Sequence, residues 1–263
     1  MNTPKQCSQE SIIGFSSVYK KKREGAQFFD LLEKVSDIAP NVRFRFTSPH
    51  PKDFPAPLLD LIRSKSNICK QIHLPAQSGS NSVLERMRRG YSRETYLNLV
   101  NQIREIIPQV TLSSDFISGF VGETEDDHMN TLDLIKTVGY DMAYMYAYSM
   151  REKTMAQRRF IDDIPEEVKQ RRLREVIDLF YSKLFELNKK FLGSKQLILV
   201  EGPSKKNISL LQGRTDGNKT VILDESCDFL NPGDYIEVNI TGLSKTTLIG
   251  KFVKKSSITE FNP

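Results

Sequence analysis

The stretch His73-Leu74-Pro75-Ala76-Gln77-Ser78-Gly79-Ser80 decides the fold, because it passes from an apolar strand through a polar turn into a helix. Gln71 to Pro75 predicts the strand, and Ser80 to Arg88 predicts a helix that Gly90 breaks. In a parallel sheet, ligands gather at the carboxyl ends of strands, where such a turn exposes backbone N–H groups and hydroxyls. From spacing alone, a plain capped turn is the simpler explanation.

The alternation of strand and helix continues on both sides of this stretch. Val42 to Thr47, Val110 to Phe116 and Met142 to Tyr148 predict further strands, and Thr124 caps an intervening helix. Such alternation predicts a parallel sheet with right-handed crossovers. About four strands are too few for a closed eight-stranded barrel, so the pattern predicts an open sheet or part of a barrel that begins outside this chain.

The pattern of predicted secondary structure changes after a long helix that starts at Pro165 and ends at Gly193. Five short strands follow, with turns at Asp216-Gly217 and Pro232-Gly233-Asp234, and they suggest a small barrel similar to an OB-fold. We therefore predict a poorly ordered segment over residues 1–24, an α/β domain over 25–193 and a β-barrel over 194–263. The expected strands are Gln196 to Glu201, Leu210 to Gly213, Lys219 to Leu223, Tyr235 to Thr241 and Thr247 to Val253.

Composition is that of a soluble globular protein, with 38% hydrophobic and 27% charged residues among 263. No apolar run approaches the length needed to cross a bilayer, so no membrane partner is expected. The formal charge of +5 permits a polyanionic partner such as RNA. Cys7, Cys69 and Cys227 are too far apart in sequence to form a local metal-ligand motif, so no metal site is predicted.

Two further strand ends carry residues that suit a ligand. Asp115 could accept hydrogen bonds from an amine or hydroxyl, and Gly119 would let a flat ligand approach the backbone. Arg151 could grip a carboxylate or phosphate. Taken singly, a helix cap, a loop glycine and a surface salt bridge explain them, and His73 is more simply a packed core histidine than a base.

The predicted barrel suggests RNA binding, since barrels of this kind contact nucleic acid through basic and aromatic surfaces. Ordinary solubilising charge is the alternative explanation, and acidic residues nearby dilute the patch. The candidate RNA-binding residues are Lys205, Lys206, Arg214, Lys219, Lys251 and Lys254, and Lys169, Arg171, Arg172 and Arg174 of the long helix could extend the same surface.

Four segments together resemble the MiaB-type tRNA methylthiotransferases, which are radical S-adenosylmethionine (SAM) enzymes. They are Phe46 to Pro51, Gln71 to Tyr91, Ser114 to Thr124 and Tyr148 to Thr154. The resemblance is strongest to the animal branch named for cyclin-dependent kinase 5 regulatory subunit-associated protein 1. It implies a partial radical SAM (β/α) barrel followed by a TRAM domain that contacts tRNA.

The resemblance also implies an activity, 2-methylthiolation of isopentenyl-adenosine beside the anticodon, with SAM and two 4Fe-4S clusters as cofactors. Ser78, Gly79 and Ser80 would contact SAM, as would Asp115 and Gly119 at the next strand end, and Arg151 would line the same cavity. The compartment implied is the mitochondrion, or otherwise the cytoplasm. A kinase-regulatory partner is suggested by the branch name alone.

The family's N-terminal cluster domain and its Cys-x-x-x-Cys-x-x-Cys loop are not found in these residues. Iron–sulfur ligation requires thiolates, and the three cysteines present cannot replace those of the loop. We therefore expect a truncated form of the enzyme that lacks activity alone. The alternative is a non-catalytic tRNA-binding or protein-interaction module.

Overall fold

The structure is a computed structural model that describes residues 26–47, 50–51 and 54–261; the segment predicted over residues 1–24 lies outside the described residues. Within these ranges, helices alternate with three parallel strands, and a closed five-stranded barrel follows. The predicted fold class is thereby confirmed. The elements of the first part are α1 (Phe28–Ile38), α2 (Ala56–Ser64), β1 (Gln71–His73), α3 (Asn81–Arg86), α4 (Arg93–Ile106), β2 (Thr111–Ser118), α5 (Glu125–Val138), β3 (Met142–Ala147), α6 (Met155–Arg159) and α7 (Glu166–Asn188).

The three strands lie in the order β1, β2, β3, all parallel. Gln71 lies opposite Thr111, and Ser113 lies opposite Met142, so the carboxyl ends of all three strands meet at one edge. A second bridge between Gln77 and Phe116 prolongs the pairing of β1 beyond Pro75. The ends of the three strands therefore lie along one edge of the sheet.

The strand predicted over Val42 to Thr47 is not formed as such. Only Phe44 makes a parallel bridge, to Ile68, and Val42 is exposed. The arginine beside Phe44 explains the loss, because Arg43 donates to the carbonyl oxygens of Leu197 and Arg214 at 2.8 Å each. The segment thus serves as a contact with the barrel as well as a short extension of the sheet.

The helix ends follow the sequence rules. The Ser92 hydroxyl accepts from the backbone N–H of Thr95 at the start of α4. Thr124 and Asp127 form a reciprocal capping box at the start of α5, and Gly139 ends that helix in the left-handed conformation with φ of 63°. The apolar stripes of these helices pack on the outer face of the sheet and form a continuous core with α7.

The barrel has its own core and closes in the strand order β4-β5-β6-β8-β7. In β7 the apolar residues Ile236, Val238 and Ile240 are buried in the barrel core. Closure leaves no free strand edge in this domain. Its strands are β4 (Lys195–Pro203), β5 (Leu211–Arg214), β6 (Thr220–Leu223), β7 (Tyr235–Leu243) and β8 (Leu248–Lys255).

The turn between β5 and β6, residues 215–219, fastens the barrel to the amino ends of the parallel strands. The Lys70 N–H donates to the Asp216 carboxylate at 2.7 Å, and the Thr111 hydroxyl donates to the Gly217 carbonyl at 2.9 Å. A Cβ at Gly217 would lie 2.5 Å from the Thr111 side chain, so only glycine fits here. We propose that the two domains meet near Gly193, which follows α7.

Candidate functional site

The Ser-Gly-Ser turn is held inside the protein by α5. The hydroxyl of Ser78 hydrogen-bonds Thr131 at 3.2 Å, and the Gly79 N–H donates to the same Thr131 oxygen at 3.0 Å. A Cβ at Gly79 would lie 2.3 Å from the backbone oxygen of Asn130. Gly79 therefore allows two segments to pack closely, and its contact with a ligand stays a prediction.

Ser80 is also held by a side chain of α5, the Asp127 carboxylate. Its hydroxyl and that of Ser82 both donate to Asp127 Oδ1, the latter at 2.6 Å. Burial alone would raise the pKa of Asp127, but the hydrogen bonds from Ser80, Ser82 and Thr124 lower it well below its usual range. An ionised carboxylate therefore fixes the turn after β1. The hydroxyls of Ser78 and Ser80 are both used in hydrogen bonds within the protein.

Asp115 lies on the inner face of the sheet, opposite Tyr144 of β3. His73 Nε2 is 3.4 Å from Asp115 Oδ2, and His73 Nδ1 is 3.0 Å from the Ser113 hydroxyl. Tyr144 and Tyr146 expose 47% and 54% of their surface on this face, so their rings are available to a ligand. His73 itself is buried, as predicted, and holds the partly exposed carboxylate in position.

Gly119 belongs to a loop that Glu123 organises. The buried Glu123 carboxylate accepts the N–H groups of Gly119 and Phe120 at 2.5 and 3.0 Å. Burial raises the pKa of Glu123, although Arg172, 3.6 Å away, favours its ionised form. The left-handed φ of Gly119 and its contact with Lys169 explain why glycine is required there. The loop is therefore preformed, with its N–H donors turned toward protein.

Arg151 is exposed after β3, and its guanidinium has no partner among the described residues. Its contact with an anion stays a prediction. Of the six residues predicted to contact SAM, Asp115 and Arg151 thus present unengaged or partly exposed side chains, while Ser78, Gly79, Ser80 and Gly119 shape the edge from within.

A cavity of about 250 Å³ lies at the same edge, beyond the ends of β1 and β2. Sequence reasoning missed it because its walls come from three separated segments. The residues that line it include Gln77, Ile117 and Phe120 from the strand ends, Arg86 at the end of α3, Arg88 and Arg89 just after it, and Arg159 and Phe160 from the end of α6. The sequence shows Met87-Arg88-Arg89 after a predicted helix. Nothing in it indicates that Arg159 lines the same cavity.

The candidate RNA-binding residues of the barrel fall into three groups. Lys205, Lys206 and Lys251 are exposed, with no side-chain partner among the described residues. Lys254 pairs with Glu237 at 3.2 Å, and Arg214 is half-buried beside a glutamate and an asparagine.

Lys219 forms the third group, and its predicted contact with RNA must be corrected. It is 5% exposed, and its ammonium lies 3.0 Å from Asp141 and 2.9 Å from the Asn188 side chain. Burial lowers its pKa, and Asp141 counteracts that effect. Lys219 therefore anchors the barrel to the sheet and is not available to RNA.

Three of the four basic residues predicted on α7 are engaged in ion pairs, and the fourth, Arg174, is exposed. Arg172 is buried and donates to Glu125 at 3.0 Å, and Arg171 makes a bidentate pair with the same carboxylate. The pairing with Arg171 and Arg172 lowers the pKa of Glu125 to about 2. Oxygen and nitrogen atoms of Glu125, His128 and Glu175 lie within 4.8 Å of one another. The arginines satisfy both carboxylates, so this is an ion-pair network that joins α5 to α7.

The described cysteines do not fit an iron–sulfur cluster. Cys69 and Cys227 are both buried, and they belong to different domains. Burial, with Asp216 nearby, raises the pKa of Cys69 to about 12, which opposes the thiolate that iron needs. SAM fits better, because the Asp115 carboxylate and the adjacent tyrosine rings suit a cationic ligand with a flat base.

Two protein families match the chain. The radical SAM superfamily matches residues 20–135, and the TRAM domain matches residues 189–253. The chain therefore contains radical SAM and TRAM domains, which accounts for the open α/β sheet and the closed barrel. No described helix is long and apolar enough to span a membrane.

Three relatives define the branch further. A human protein, mitochondrial tRNA methylthiotransferase CDK5RAP1, is 52% identical over 255 residues, covering 93% of this chain and 42% of its own length. A CDK5RAP1-like protein of Caenorhabditis elegans is 49% identical, covering 97% and 47%. The tRNA-2-methylthio-N(6)-dimethylallyladenosine synthase of Chlorobium limicola is 44% identical, covering 93% and 55%.

The chain is thus a homologue of the MiaB-type tRNA methylthiotransferases, as its motifs indicate. It spans about half the length of the curated relatives it matches.

Proposed function

We propose that this chain supplies the SAM-facing sheet and the tRNA-binding barrel of a tRNA methylthiotransferase. The reaction would be 2-methylthiolation of isopentenyl-adenosine beside the anticodon. The observation that carries the proposal is 52% identity to a named tRNA methylthiotransferase over 93% of the chain, through both domains. The mammalian relatives are named mitochondrial, and we propose the same compartment. A kinase-regulatory role has the branch name as its only support.

The chain's own residues would bind and orient SAM. SAM carries a sulfonium, an ammonium and a carboxylate, so its net charge is positive, and Asp115 offers the complementary charge. Arg151 would hold the carboxylate of the ligand. Tyr144 and Tyr146 would present flat faces to the adenine. When bound, SAM and the clusters of the family would supply the radical chemistry.

The described part of this chain offers no set of ligands for the clusters. We propose that this polypeptide by itself binds SAM and tRNA and does not start the reaction. Anaerobic reconstitution of the purified chain with iron and sulfide tests this. We expect less than one iron per chain and no SAM cleavage, and four irons with cleavage would overturn the proposal.

SAM binding can be measured separately by calorimetry. We expect Asp115→Asn to weaken SAM about tenfold, the value of a lost charge-assisted contact of roughly 1.4 kcal/mol. S-adenosylhomocysteine lacks the sulfonium charge and should be affected less. Asp126→Asn, at an exposed position of α5, is the matched control. Equal losses for both ligands, or for both variants, would contradict the role of Asp115.

RNA binding would depend on the exposed lysines of the barrel. A double variant, Lys205→Glu with Lys206→Glu, should weaken a tRNA anticodon stem–loop by more than tenfold at 0.15 M salt and flatten the salt dependence. The matched control carries the same charge change at Lys34 and Lys136, exposed positions of α1 and α5. Equal weakening by the two double variants would refute specific binding by the barrel.

A further inference from the structure

The outer face of the barrel carries polar side chains in register on three neighbouring strands. Lys195 of β4 lies opposite Asn239 of β7, and Asn239 lies opposite Lys251 of β8. Neighbouring strands are about 4.8 Å apart, so the two lysines are separated by about 10 Å with the asparagine between them. These three residues are called the Lys-Asn-Lys row below.

The barrel core shows that the row points outward. Val238 and Ile240 belong to the core, so Asn239 between them faces the opposite side of the strand. A Cβ at Gly250 would lie 2.8 Å from the Val221 side chain inside the core, so the next residue of β8, the second lysine, faces outward. Residues that lie opposite each other in antiparallel strands share a face. All three members of the row are accordingly exposed.

The row is positively charged and unengaged. None of its three side chains has a hydrogen-bond or ion-pair partner among the described residues. Two carboxylates close to it are used within the barrel. Glu237, two residues before Asn239, is buried and pairs with Lys254 at 3.2 Å, and Asp224 accepts from the Thr241 hydroxyl at 3.3 Å. The row therefore offers two ammonium groups and one amide to an anionic partner.

This combination suits the sugar–phosphate backbone of RNA. Lysine ammonium groups contact phosphate oxygens whatever the sequence, and two lysines about 10 Å apart reach different phosphates. The amide between them can donate and accept hydrogen bonds, and so can the 2′-hydroxyl of a ribose that links two phosphates.

We infer that the Lys-Asn-Lys row binds one stretch of RNA backbone, with Lys195 and Lys251 on phosphates and Asn239 on a 2′-hydroxyl. The inference rests on the proposed tRNA function. It adds two residues to the RNA contact of the barrel and assigns to Asn239 the recognition of ribose, the group that distinguishes RNA from DNA.

The charge of the row is tested with the whole chain and a labelled anticodon stem–loop in fluorescence anisotropy. Lys195→Gln should weaken binding about fivefold at 0.15 M salt and reduce the slope of log affinity against log salt by about 1. Lys245→Gln is the matched control, because Lys245 is exposed between β7 and β8 and lies outside the row. Equal losses for the two variants would overturn the inference, since overall charge would then explain the binding.

The ribose contact is tested with a second probe, the same stem–loop carrying 2′-fluoro groups, which keep the helix geometry of RNA but cannot donate a hydrogen bond. The wild-type chain should prefer the 2′-hydroxyl stem–loop about fivefold, the value of one neutral hydrogen bond. Asn239→Leu, checked for folding by circular dichroism, should reduce this preference to less than about twofold, whereas Lys195→Gln should keep it. A preference that survives in Asn239→Leu would refute the role of the asparagine.

Failure of the row and failure of the proposed function give different results. If the stem–loop binds the wild-type chain and Lys195→Gln leaves its affinity unchanged, the row is not the contact, while tRNA binding stands. If polyglutamate displaces the stem–loop as well as unlabelled RNA does at equal charge, the row binds acidic chains in general and the inference fails. If the stem–loop does not bind the wild-type chain, the proposed function and the row fail together.

Discussion

Lys219→Met tests whether Lys219 is an anchor between the domains. The ion pair with Asp141 is almost fully buried, with 5% and 7% of the two side chains exposed and 3.0 Å between the charged atoms. Removal of the lysine leaves a buried carboxylate whose remaining cation, Lys190, lies 3.9 Å away. Such a change costs about 3–5 kcal/mol of unfolding free energy. For a chain of this size that corresponds to a fall in Tm of about 6–20 °C.

The unfolding free energy should be measured by urea titration, with circular dichroism for the helices and tyrosine fluorescence, because the chain has no tryptophan. The double variant Asp141→Asn with Lys219→Met should recover part of the loss, since neither charge then remains buried. Lys251→Met is the matched control at an exposed position of β8 and should change stability by less than about 0.5 kcal/mol.

The two lysines should behave in the opposite way toward RNA. Lys219→Met should keep the affinity for an anticodon stem–loop within twofold when it is measured well below Tm. Lys251→Met should lose roughly four- to fivefold at 0.15 M salt, the effect expected from one lost phosphate contact. A stable Lys219→Met variant with weakened RNA binding would refute the anchoring role and restore Lys219 as an RNA contact.

Three further predictions concern the buried polar groups. Gly79→Ala should cost about 1–3 kcal/mol in urea unfolding, because the new Cβ meets the Asn130 carbonyl; an unchanged midpoint would contradict this packing role. Since the pKa of Asp127 is lowered on folding, its ionised form stabilises the protein above about pH 4, the ordinary range of an aspartate. The stability gap between wild type and Asp127→Asn should therefore be greatest near pH 7 and shrink as the pH falls below 4, and a gap that widens there would refute the hydrogen bond from Ser80. Cys69, with its pKa raised to about 12, should resist iodoacetamide at pH 8 in the folded chain and react in urea, as peptide mass spectrometry can measure.

Local chemistry made much of the fold predictable. The caps at Ser92 and Thr124 depend on side chains within three residues of the N–H groups they bind, so sequence spacing reveals them. The barrel strands were predictable because alternation in β7 and the turns at Gly217 and Gly233 are local too. The meeting of strand ends followed from parallel topology.

Long-range pairing was not predictable. In the sequence, Lys219 looks like any surface lysine. Its side chain is buried only because the barrel packs against Asp141. Val42 to Thr47 alternates like a strand, yet Arg43 contacts barrel carbonyls and the pairing stops at Phe44. Arg89 and Arg159 are brought together by the loop after β2 and by α6, a short helix that the sequence did not indicate.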